Sequence, residues 1–330
     1  MKNFSFLCDY DLIKKSISYK ANNIKMKRRD FISKSIGVAG VAAGAFLSLE
    51  EAFGNYASNA QTPYNLVAVM GGEPEEMYEK GIAQLGGIRN FVRTGQVVVV
   101  KPNIGWDRAP EFGANTHPGL VANIVKDCVA AGAREVFVFD NTCDNWRRAY
   151  ATSGIERAAR DAGATVITGN SEGNYKDVTI PRGRSLRAAK VHEKILECDV
   201  LINVPILKHH DGAQISIAMK NLMGIVWDRR WWHNNNLDQC IADMVTYRKP
   251  DLNIIDGYRV MKRNGPRGIS VNDVSLEKAQ IISADIVAAD AASARIFGAE
   301  PETIRHIKIA NDMGLGVMDL SRLNINRIRV

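Results

Sequence analysis

From about residue 64 onward, apolar and polar positions follow two rhythms. Short apolar runs of strand length occur at Leu66–Met70, Val97–Val100, Glu135–Phe139, Thr165–Ile167, Val200–Val204, Leu252–Ile255 and Ala279–Ile282. Val97–Val100 is continuous and β-branched, as expected of a strand buried on both faces. Between the runs, apolar residues return at helical spacing. Leu120, Val121, Ile124, Val125, Cys128 and Val129 recur at helical spacing, and Gly132 is the stop. Further helices are expected through Ile155–Ala159, over Ile215–Met223 closed by Gly224, and over Leu237–Thr246. Two more are expected over Ile286–Phe297 and from Pro301 to about Asp312. This alternation predicts an α/β fold: a largely parallel, Rossmann-like sheet with helices on both faces in three layers. Residues 61–330 read as one such domain.

The polar residues fall where such a fold binds ligands, just beyond the carboxyl ends of the strands. Val97–Val100 runs into Lys101-Pro102-Asn103, and Val136–Phe139 into Asp140-Asn141-Thr142. Val200–Val204 runs into Pro205-Ile206-Leu207-Lys208-His209-His210, and Leu252–Ile255 into Asp256-Gly257. Singly, each is ordinary capping or turn chemistry; four in one chain point to a shared crevice. In an extended segment adjacent side chains face opposite ways, so one of His209 and His210 is expected at the crevice and the other in a structural role. Thr116-His117-Pro118 reads as a helix start, with His117 capping rather than ligating. Lys220-Asn221 and the loop Asn264-Gly265-Pro266-Arg267-Gly268 add cationic and amide groups suited to a carboxylate or phosphate.

Charge adds a second region. The chain has 330 residues, 46% apolar and 24% charged, with a formal net charge of +7. Residues 1–60 hold nine Lys/Arg against five Asp/Glu, so more than half of the excess sits there. The body has no concentrated basic face, and nucleic-acid binding is not expected. Lys27-Arg28-Arg29-Asp30-Phe31 resembles a twin-arginine export signal, followed by an apolar run over Ile36–Leu49 and the small residues Ser58-Asn59-Ala60. Residues 26–60 are thus expected to be a signal peptide handled by the twin-arginine translocase, giving a periplasmic or otherwise exported protein. Residues 1–25 read as an over-extended start, with Met26 a candidate initiator.

Several chemistries lack their devices. There is no GxGxxG after a strand, no P-loop and no GxSxG elbow. The cysteines show no CxxC spacing, so neither an iron–sulfur cluster nor a structural zinc motif is indicated. Cys143, in a post-strand loop, is the candidate reactive thiol. A divalent metal remains open, with His210, Asp140 and Asp256 as candidate ligands. Trp227-Asp228-Arg229-Arg230-Trp231-Trp232-His233 reads either as a lid or docking surface or as a buried aromatic loop.

Over about residues 66–316 these features together resemble the family called domain of unknown function 362. The resemblance rests on Lys101-Pro102-Asn103, Asp140, Pro205-Ile206-Leu207-Lys208-His209-His210 and Lys220-Asn221-Leu222-Met223-Gly224. It continues through Asp256-Gly257, Gly265-Pro266-Arg267-Gly268, Asp285 and Asp290. It implies an α/β fold and no agreed activity. Some members carry ferredoxin-type segments, whose clustered cysteines are missing here.

The expectation is therefore an enzyme acting on a small anionic substrate. Lys101, Lys208, Lys220 and Arg267 would hold the anion, and Asn103 and Asn221 would orient it. His210 would serve as general acid/base or metal ligand, with Asp140 and Asp256 orienting it or sharing the metal. The alternative is a non-enzymatic periplasmic binding protein, or an accessory protein that docks a redox partner.

Overall fold

A computed structural model describes residues 64–330. The twin-arginine segment, Ile36–Leu49, Ser58–Ala60 and residues 1–25 lie outside the described residues.

The strands are β1 (Leu66–Met70), β2 (Val97–Pro102), β3 (Glu135–Val138), β4 (Thr165–Val166), β5 (Tyr175–Thr179) and β6 (Ala188–His192). They continue with β7 (Val200–Val204), β8 (Ile206–His210), β9 (Gln214–Ser216), β10 (Leu252–Met261), β11 (Val274–Ser283) and β12 (Ile325–Arg329). The main sheet runs β12-β1-β11-β10-β7-β2-β3-β4, with β8 and β9 branching from β10. The pairs from β10 through β7, β2 and β3 to β4 are parallel, and so is β1 with β12. Only β11 runs against its neighbours in that row, pairing antiparallel with β1 and β10. The sheet is mostly parallel, as the alternation predicts.

Strand period and burial explain the layers. Val97 and Val99 pack into one core with the helix Ile286–Phe297, while Val98 and Val100 pack into another with the helix Pro118–Ala130. A strand with a helical layer on each face has no solvent side, hence the unbroken valines. Pro118 opens its helix at the first helical position, and Gly132 follows its end at φ +91°. Among the described residues no helix is long and apolar enough to cross a membrane.

Three local expectations are corrected. Ile215 lies in β9, not in a helix over Ile215–Met223; the helix is only Ala218–Asn221, continued by a 3-10 turn over Leu222–Ile225. The short apolar stretch fits either structure, and pairing of β9 with β8 decides it. Pro205–His210, expected to be extended, is largely strand, with β8 paired to both β9 and β10. Asp256-Gly257 does not follow a strand; it sits inside the ten-residue β10, which continues past an irregularity between Gly257 and Arg259. The helix at the C-terminal end is also shorter, Arg305–Asp312, with Pro301–Thr303 as a separate 3-10 turn.

Candidate functional site

The carboxyl ends of β2 and β3 meet β8 and the helix Ala218–Asn221 around a cavity of about 690 Å³. Of the sequence candidates, Lys101, Asn103, Asp140, Lys208, His210, Lys220 and Asn221 line it. Asp256 and Arg267 do not.

The wall is built on one buried polar chain. Lys101 Nζ lies 2.9 Å from Asp140 Oδ1 and donates to Asn221 Oδ1 at 3.0 Å and to the Pro102 carbonyl at 2.7 Å. Asp140 Oδ2 accepts from the Ile104 amide at 2.7 Å. Asn103 Nδ2 donates to Asn221 Oδ1 at 3.0 Å, and Asn103 Oδ1 accepts from Lys208 Nζ at 3.0 Å. Lys208 also donates to the Ala114 carbonyl. The lysine side chains are almost fully buried: Lys101 is 0% exposed, Lys208 1% and Lys220 8%. Burial pushes the Lys208 amine down to about 7 and the Lys220 amine down to about 8.

Asn221 anchors this chain to the middle of the sheet. Its Nδ2 donates to Asn203 Oδ1 at 2.8 Å, and Asn203 Nδ2 donates to Asn253 Oδ1 at 3.1 Å. Asn203 and Asn253 are missing from the sequence candidates. Their signal is there, a lone amide inside each of two apolar strands, β7 and β10. Gly224, marked by the sequence as a helix stop, lies inside the 3-10 turn, and the site needs it for another reason. A Cβ at this position would collide with the Asp140 carboxylate and the Lys101 amine.

His210 is held in one tautomer. Its Nδ1 accepts from the amides of Gly212 at 3.1 Å and Ala213 at 3.2 Å, so the ring proton resides on Nε2. Burial first, then the positive charge of Lys220, pushes its pKa down to about 2. His210 thus presents a neutral N–H donor near pH 7. Its ring stacks on His233, centroids 5.7 Å apart. His209 points elsewhere, with Nδ1 accepting from the Gly265 amide at 3.2 Å.

The three candidate metal ligands do not converge. Asp256 accepts from the His117 amide at 2.7 Å and the Tyr258 amide at 3.0 Å, pinning the start of the Pro118 helix to β10. Asp140 is taken by Lys101, and a neutral His210 with its proton on Nε2 offers no lone pair there. Among the described residues no group of three or more His, Cys, Asp or Glu is placed to hold a metal ion. Asp285 and Asp290 are helix caps: Asp285 Oδ1 accepts from the Val287 and Ala288 amides, and Asp290 from those of Ala218 and Met219.

The Trp227–His233 segment is part core and part cavity wall. Trp232 is buried in the core, whereas Arg229, Arg230 and His233 line the cavity. Arg229 fastens the segment by donating to the Asn141 and Thr142 carbonyls, each at 2.6 Å. Cys143 also lines the cavity, and the cysteines among the described residues are free thiols.

The chain is 28% identical over 239 residues to a thylakoid-associated protein of Synechocystis sp., a match covering 70% of this chain and 72% of that protein. Among solved structures it is similar to the lactate racemase apoprotein of Thermoanaerobacterium thermosaccharolyticum, at 12% identity and a TM-score of 0.40. That match covers 76% of this chain and 57% of the other, and it carries no argument about activity. Residues 98–295, which hold every cavity residue named above, match the model of the family described as a domain of unknown function (DUF362), and the chain belongs to that family.

Proposed function

We propose that the cavity binds a small organic anion and that the protein acts on it as an enzyme. One observation carries the reading. Lys220 is buried in the cavity wall, yet among the described residues its amine has no hydrogen-bond or ion-pair partner. Lys101 already engages Asp140, the buried carboxylate of the wall. A buried ammonium without a counter-charge is costly, and an anion in the cavity relieves that cost. Arg230 and the Nε2–H of His210 supply further donors on the same cavity.

Calorimetric titration with oxalate, malonate and inorganic phosphate tests this on the wild type and Lys220→Met. At least one anion should bind the wild type and raise its Tm. Lys220→Met should weaken that anion at least tenfold. Equal binding by both proteins, or by neither, sinks the reading.

The leader supports an exported place of action. Lys27-Arg28-Arg29 and the apolar run after it favour export through the twin-arginine route. A reporter fused to residues 1–60 should leave the cytoplasm, and replacing Arg28 and Arg29 with Lys should retain it; export unaffected by that change removes the assignment.

A further inference from the structure

The three cavity lysines are chemically unequal. Lys101 has three acceptors, one for each ammonium hydrogen, and Lys208 has two, so both amines are held by the wall. Lys220 has none among the described residues, although only 8% of it is exposed. It follows directly on Ala218 and Met219, whose amides are fixed by the Asp290 carboxylate at 2.7 and 3.2 Å, so its backbone is anchored. An amine that is positioned, desolvated and free of acceptors is set up as a nucleophile rather than as a structural cation.

We propose that Lys220 forms an imine with a carbonyl-bearing anion, of the 2-oxo carboxylate class, in this cavity. This rests on the anion-binding reading and adds the reacting group. Two further features support it. Burial, which dominates, together with the charges of Arg229 and Lys101 favours the neutral amine, against the opposing pull of Cys143 and Asp140. His210 offers a neutral N–H donor that can take the carbonyl oxygen as negative charge develops there, and it need not titrate to do so. Arg230, which lines the cavity and has no partner among the described residues, suits the carboxylate.

The step balances without an oxidant, a reductant or a metal. The Lys220 nitrogen lone pair forms a C–N bond to the carbonyl carbon while the C=O pair moves onto oxygen. The amine's two protons pass to that oxygen, which leaves as water as the C=N bond forms.

The test traps this bond in the purified full-length chain. The protein is incubated with pyruvate, glyoxylate or 2-oxoglutarate, reduced with cyanoborohydride, and analysed by intact mass and peptide mapping. One reduced adduct per chain is expected with at least one of the three acids, mapped to Lys220. Excess oxalate should suppress it, and Lys220→Arg, which keeps the cation, should lower it to the level of the denatured chain. The wild-type peptide map identifies the lysine even if that variant does not fold. Adducts scattered over surface lysines, or none with any of the three acids while oxalate binds, overturn the imine and leave anion binding standing. If none of the oxo acids and none of oxalate, malonate and phosphate shifts the wild-type Tm, the anion-binding reading has failed and the imine assignment falls with it.

Discussion

Two sets of cations flank the cavity and obey different rules. Lys262, Arg263 and Arg267 sit around the Asn264–Gly268 loop, and each has its own carboxylate. Lys262 lies 2.8 Å from Glu277, Arg263 2.9 Å from Asp273 and Arg267 3.1 Å from Asp144. Their charges are neutralised locally and largely in contact with water. Lys101, Lys208 and Lys220 are buried; Asp140 pairs with Lys101, neutral amide and carbonyl oxygens hold Lys208, and Lys220 has no acceptor among the described residues. A solvated cation tolerates almost any surroundings; a buried one leaves a deficit that either the protein or a ligand must fill. The lysine set therefore reads as a site, and the loop set as a surface brace.

The comparison breaks most severely at Asp140. Asp140→Ala strips Lys101 of its counter-charge and should cost about 3–5 kcal/mol in denaturant unfolding. Adding Lys101→Met should recover part of that loss; a double variant no better than the single one would show that the charge is not the cause. The second effect is a pH dependence. The unfolded chain binds the Lys220 proton below its ordinary 10.5, the folded chain only below about 8. Between those values the unfolded state holds more protons, so rising pH favours folding. Relative to Lys220→Met, the ligand-free wild type should be the less stable at pH 7 and should recover toward pH 9.5, by a margin on the order of 2 kcal/mol. A pH-independent difference contradicts the buried, uncompensated amine. Third, Gly224→Ala forces a methyl group against Asp140 and Lys101 and should cost about 1–3 kcal/mol while abolishing anion binding. The smallest effect belongs to the other region: Arg267→Ala should cost less than about 1 kcal/mol and leave anion binding unchanged. A loss of affinity there would join the two regions and remove the contrast.

Much of this was legible in the sequence because it is local. The valine run of β2, the helical spacing after Pro118 and the stop at Gly132 are decided within a few residues by strand and helix period. So is the placement of Lys101, Asp140 and Lys208 near strand ends. Where the pattern misleads, a long-range contact overrides it. Ile215 sits in a strand because β8 is there to pair with it, and Asp256 lies mid-strand because β11 carries β10 onward. Nothing near Asp256 in the chain distinguishes a crevice acid from one that pins His117, 139 positions away.

By itself the sequence determined the strand–helix alternation, the layered α/β class and the gathering of polar groups at one edge of the sheet, since periodicity and turn chemistry act over single elements. The tertiary structure alone decided which lysine is left without an acceptor, which nitrogen of His210 carries the proton, and which acids reach the cavity. Those outcomes rest on partners far apart in the chain, such as Asn103 with Asn221 at a separation of 118 and Lys208 with Asn103 at 105. Counter-charge and desolvation are properties of the space around a group, and that space exists only once the chain has closed on itself.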